Sequence, residues 1–191
     1  MSLYTLALFC HIVGAIGTFI GVSVWLFVAA ALRRAQQVAQ VRALSGLVQP
    51  SGVLAVGSIL LLGVAGFYMA TNLWGEHATW IIVATISFLL LAPFGVFLID
   101  PRLRAVAKVA AASPDGVLPP ALATRARDPL VSVGLCIYVS VLLGIVFLMT
   151  NKPTFEVSIL AIVVATVLGL VTGLLLWWAT RTGRVSQKGE A

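Results

Sequence analysis

Two histidines, two cysteines and three methionines are the only imidazole and sulfur ligands in these 191 residues. Cys10, His11, Met69, Cys136 and Met149 lie inside long apolar runs, whereas His77 follows Glu76 in a short polar stretch. Imidazole and thioether are the ligands used for haem iron and for copper. The candidate ligands are therefore His11, Met69, Met149 and His77, with His11 the only strongly polar ring nitrogen expected at hydrocarbon depth. A His11–Met haem, a His11–His77 haem and a His/Met copper site all satisfy the composition, and no spacing motif selects among them. Each residue also has a structural role open to it. His11 can be a neutral imidazole bonded to a neighbouring Ser, Thr or carbonyl, the methionines can fill irregular gaps, and His77 can be a solvated loop residue. Motifs of soluble catalysis (GxSxG, P-loop, HExxH, CxxC) do not occur in the chain.

The elements that must carry these side chains follow from composition. Apolar residues make up 61% of the chain and charged residues 9%, against about 25% charged in soluble domains, which excludes a soluble globular protein. The net charge of +6 is dispersed between apolar runs rather than gathered on a water-exposed face, so no nucleic-acid partner is expected. Residues 3–32, 53–73, 80–99, 130–150 and 157–178 each reach the ~20 residues that span a bilayer. The sequence predicts an all-α polytopic membrane protein: one bundle of five transmembrane helices over 1–180, then a cytoplasmic tail, 181–191. The first run is read as a retained anchor, since its N-terminal flank has no Lys or Arg and Arg33-Arg34 follows it.

Of the 12 Lys and Arg, all but Lys152 fall after the first, third and fifth runs. The positive-inside rule then places the N-terminus outside and the C-terminus in the cytoplasm. Cys10 and Cys136 fall towards opposite faces, and no disulfide is expected.

Lipid is as apolar as leucine, so helices associate where small residues let backbones approach. Gly14, Gly17 and Gly21 in the first span and Gly169 and Gly173 in the fifth are the expected packing positions, with Gly63, Gly66, Gly134 and Gly144 completing the set. Packing within the chain is favoured over a homo-oligomer. His11 shares a helix face with Gly14, Gly21 and Trp25, at i+3, i+10 and i+14, and so should point into the bundle. Pro93 should kink the third span. Leu103, Val106 and Ala110 recur at helical spacing, extending that span into the cytoplasm until Ser113-Pro114-Asp115-Gly116 breaks it. Asp128-Pro129 reads as an N-cap followed by proline at the first helical position. Thr71-Asn72 and Thr150-Asn151 end the second and fourth spans alike, hinting at a repeated hairpin.

The stretch Leu6-Ala7-Leu8-Phe9-Cys10-His11-Ile12-Val13-Gly14-Ala15, with Ile99-Asp100-Pro101-Arg102-Leu103-Arg104 after the third span, resembles an uncharacterised bacterial family of predicted integral membrane proteins. That family is distantly similar to CopD-type copper-resistance proteins and HemJ-type protoporphyrinogen oxidases. The HemJ resemblance implies a first-helix histidine that binds haem b, to which His11 corresponds, and a lysine opening a later span, where this chain has Thr79. The CopD resemblance implies copper handling.

The expectation is a small protein of the bacterial inner membrane, its main partner the lipid bilayer, with other membrane subunits or a second copy as further partners. It is expected to act as a non-catalytic accessory or structural component with a haem or metal site near His11. A HemJ-like haem b-binding oxidoreductase and a CopD-like copper-handling protein are the alternatives.

Overall fold

The computed structural model describes residues 2–74 and 78–188. These form eight α-helices: α1 (Leu3–Leu32), α2 (Val38–Ser45), α3 (Val48–Met69), α4 (Thr79–Pro93), α5 (Asp100–Ala112), α6 (Pro120–Ala126), α7 (Pro129–Asn151) and α8 (Phe155–Lys188). Among the described residues there is no strand, only an isolated bridge between Gln37 and Val117. Five helical segments are long and apolar enough to cross a membrane: Leu3–Leu32, Val38–Asn72, Thr79–Ala112, Pro120–Asn151 and Phe155–Ala179.

Local chemistry sets the helix ends. Ser2 Oγ accepts from the Thr5 N–H at 3.2 Å and opens α1. Asp128 Oδ1 accepts from the Leu130 N–H at 2.9 Å, with Pro129 in the first turn of α7, where its missing N–H costs nothing. Two π-helical segments interrupt regular winding, Ala70–Trp74 after α3 and Phe94–Ile99 after Pro93. The second lies where proline disrupts the hydrogen-bond ladder between α4 and α5. There the Leu98 carbonyl accepts from Arg102 Nη1 at 2.8 Å.

Two antiparallel seams hold the bundle. α1 packs chiefly on α3 and α7 chiefly on α8, while α4 leans on α7 and α8. Small residues build the first seam: a Cβ on Gly14 would lie 2.6 Å from the Leu62 nitrogen, and one on Gly21 2.8 Å from the Ala55 Cβ. In the second, a Cβ on Gly169 would lie 2.6 Å from Ile137 Cα, and one on Gly173 2.7 Å from Val133 Cα. Gly14, Gly17, Gly21, Gly169 and Gly173 are all buried, and the facing helices approach as only glycine allows. By contrast α3 and α4 meet sparsely, through contacts such as the Phe88 ring against Gly63.

The matching Thr-Asn ends are also alike in structure. Thr71 Oγ1 donates to the Phe67 and Tyr68 carbonyls and Asn72 Nδ2 to Tyr68 O; Thr150 and Asn151 make the equivalent bonds to Val146 and Phe147. Their helices pack differently, however, since α7 is sealed along α8 and α3 is not sealed along α4.

Short helices outside the apolar runs close the loop end of the bundle. In α2 a capping box joins Gln37 to Gln40, and Val38 and Val41 are buried with Leu103, Val106, Ala110 and Leu122 of α5 and α6. Arg42 ties this layer together by an ion pair to Asp115 at 2.8 Å and a hydrogen bond to Ser113 O at 2.9 Å.

Candidate functional site

His11 lies eight residues into α1, about 12 Å along the helix axis from Leu3. Its Nδ1 is 3.1 Å from the carbonyl oxygen of Leu62 on α3. A carbonyl only accepts, so Nδ1 carries the proton and donates, and in the neutral ring Nε2 keeps its lone pair. The imidazole fits against α3 because residue 66 is glycine: a Cβ there would come 2.9 Å from Cε1 and 3.1 Å from Nδ1 of His11. The α1–α3 glycine seam thus brings the two backbones close enough for the side chain of one to reach a carbonyl of the other.

The poor closure of α3 on α4 leaves a cavity of about 980 Å³ in the half of the bundle that contains His11. Its wall comes from α1, α3, α4 and α7 and is mainly apolar. His11, Met69 and Met149 all line it. Its sides are not sealed, for Ile16 on α1, Phe67 on α3 and Leu89 on α4 all remain exposed while lining it. Thr18, at the back, is spent on its own helix, its Oγ1 donating to Gly14 O at 2.8 Å. Among the described residues of the wall the charged side chain is that of Lys152, just past the end of α7.

Of the four candidate ligands the cavity gathers three, and His77 lies outside the described residues. Cys10 is only partly buried and does not line the cavity; Cys136 is buried within α7, and both thiols are free. Among the described residues no three His, Cys, Asp or Glu side chains come together as a metal site.

Four participants escaped the sequence reading. The Leu62 carbonyl and the Phe88 ring carry no sequence mark, because their parts depend on how helices pair. Gly66 was legible as a packing position but not as the seat of His11. Lys152 stood out in the sequence as the one basic residue on its side, a signal that was read only for topology.

At the other end of the bundle Arg33, 7% exposed, turns inward instead of joining the loop. Its Nη1 donates to Ser132 Oγ at 3.0 Å and its Nη2 to Trp177 O at 3.4 Å, linking α1 to α7 and α8. Asp128 and Arg102 pair at 3.3 Å, and Asp100 and Arg104 at 2.6 Å. The Arg33 and Asp128–Arg102 contacts fasten helices to one another, and none of these residues lines the cavity.

No curated protein and no solved structure matches the chain. A family model does, over residues 5–153, a stretch that begins within the first turn of α1 and ends two residues after α7, so that it takes in His11, Leu62, Gly66, Met69, Met149 and Lys152 but not α8. With five long apolar helices and this match, the chain belongs to the family described as predicted integral membrane protein (DUF2269).

Proposed function

We propose that the protein is a small non-catalytic accessory component of the bacterial inner membrane, N-terminus outside and C-terminus cytoplasmic, that holds haem b in the cavity through His11. The observation that carries this reading is the bond from His11 Nδ1 to the Leu62 carbonyl. It fixes the ring and its tautomer and leaves Nε2 as a neutral donor, the arrangement in which metal-binding histidines are commonly held. The cavity has the size of a small-molecule site, typically about 300–1,000 Å³, and its apolar wall suits a flat macrocycle. Met69 and Met149, which also line the cavity, would offer thioethers that help His11 to hold it, and His77 is the further candidate that the sequence offers. Bound haem would supply reversible one-electron chemistry, while the chain's own part is to bind it, orient it and keep water away.

Copper handling fits less well, since an ion needs donors that converge on a point and the wall offers one imidazole and two thioethers around a space far larger than an ion. Oxidase activity has less support than binding, because Thr79 opens α4 where the HemJ resemblance implies a lysine.

The test is a visible spectrum of protein purified from cells supplied with haem. A Soret band in the parent that His11→Ala abolishes is the expected result. A parent without the band, or a variant that keeps it in full, overturns the proposal.

A further inference from the structure

We propose that the cavity is loaded from the bilayer rather than from water: its ligand, an apolar planar molecule dissolved among the acyl chains, passes between α3 and α4, where the Phe88 ring resting on Gly63 is the door. This rests on the reading of the cavity as a ligand site.

The first observation is the uneven closure of the wall. Around the cavity α1 packs on α3 and α7, and α4 on α7, while α3 and α4 meet sparsely. The reason is that α3 turns Ala55 and Ser58 to the α1 glycines, and α4 leans away onto α7 and α8. What spans the remaining gap is an aromatic ring against a glycine: a Cβ on Gly63 would lie 3.4 Å from Phe88 Cε1. Both residues line the cavity and Phe88 is half-buried. Phe67, one turn along α3 from Gly63, and Leu89, next to Phe88, also line it while 72% and 61% exposed.

The second is depth. Gly63 stands nine residues before Asn72, and Phe88 nine after Thr79, so each lies about 13 Å along its helix from that end. In a hydrocarbon core ~30 Å thick the contact therefore faces acyl chains, not headgroups or water.

The third is how little opening disturbs. Between helices in lipid there is no hydrophobic force to hold an apolar contact shut, because an acyl chain is as good a neighbour for the ring as Gly63 is. A phenylalanine swings by changing rotamer, and Gly63 has no side chain to obstruct it. The end of the wall near Trp80 and Lys152 is different, since each of these residues holds a partner within the protein, and a route past them would break contacts already made. The side door also selects its traffic. A bare ion or hydrated solute would be stripped of its hydration at that depth, whereas an apolar macrocycle exchanges one apolar neighbour for another.

The test uses the full chain in phosphatidylcholine nanodiscs, with Cys10 and Cys136 replaced by serine and with Gly63→Cys and Phe88→Cys introduced. A short bis-methanethiosulfonate linker joins the two thiols after folding; reduction removes it and the freed thiols are capped. Haem b uptake is followed at the Soret band, and its loss by transfer to excess apomyoglobin. Linking should slow uptake and loss together by about tenfold or more, and removing the link should restore both. In the chain without introduced cysteines, Phe88→Ala should speed uptake and loss together, whereas a ring that only lines the site would change loss alone. Protoporphyrin IX dimethyl ester, which offers His11 no metal, is followed in parallel by energy transfer from tryptophan, and its entry should depend on the link in the same way. Link-dependent entry of the ester in a protein with no His11-dependent haem band would refute the axial-ligand reading and leave the door standing. A linked protein that loads and releases at the unlinked rate, a Phe88→Ala variant in which loss alone changes, or binding of neither porphyrin overturns the door.

Discussion

His11 sits on Gly66 so closely that a methyl group there would reach within 2.9 Å of its ring. Gly66→Ala should therefore push the imidazole off the Leu62 carbonyl. Haem affinity is expected to fall about tenfold or more, the scale seen when a partner that orients a metal ligand is lost. The melting temperature should move little, since alanine favours the helix by roughly 0.5–1 kcal/mol over glycine. A Gly66→Ala protein with the parent's affinity and spectrum would show that the ring position does not govern binding.

The α1–α3 seam predicts a graded series. A Cβ on Gly14 would meet the backbone of Leu62 and Ser58, at 2.6–2.9 Å, which cannot yield without moving α3. On Gly17 it would meet chiefly the Ser58 hydroxyl, which can rotate away, and on Gly57 nothing lies within 4 Å. Thermal unfolding in detergent should rank Gly14→Ala as most damaging, by about 1–3 kcal/mol, then Gly17→Ala, with Gly57→Ala melting no lower than the parent. Equal melting of all three would place the seam elsewhere.

Arg33 should matter for stability more than its place after an apolar run suggests. Arg33→Met keeps much of the stem but removes the donors to Ser132 Oγ and the Trp177 carbonyl, and should cost about 1–3 kcal/mol. Ser132→Ala should cost less, because the guanidinium keeps the Trp177 carbonyl. An Arg33→Met protein that unfolds with the parent would show that the three-helix junction does not depend on it.

Orientation is open to labelling. In a background with Cys10 and Cys136 replaced by serine, a cysteine introduced at Gly75 should react with an impermeant thiol reagent added to intact cells, and one at Ser113 should react only after lysis. The opposite pattern would invert the topology.

The helices were legible because a bilayer demands long apolar segments, and the inward face of His11 because glycines mark where backbones meet. The cavity was not legible. It exists because α3 commits its small residues Ser51, Ala55 and Ser58 to α1 and presents bulky ones such as Phe67 elsewhere, a division that appears only once partners are known. Arg33 misled for a related reason: next to Arg34 it looks like a loop charge, but the helix rotates one of the pair inward and the other, exposed, outward. The buried face of α2 was missed because the stretch is short and polar overall, although Val38, Val41 and the Gln37–Gln40 box were there to be seen.

The two seams also differ in when the chain can build them. Every residue of the α1–α3 seam lies at or before Met69, so that pair can close in the bilayer once α3 has emerged from the ribosome, while the remainder is still being synthesised. The bond from His11 to Leu62 would then form early, before α4 and α7 arrive to enclose the space beside it. A truncated chain ending after α3 should accordingly already permit a cysteine crosslink between positions 17 and 58, so that half of the binding cradle is encoded in about the first third of the chain.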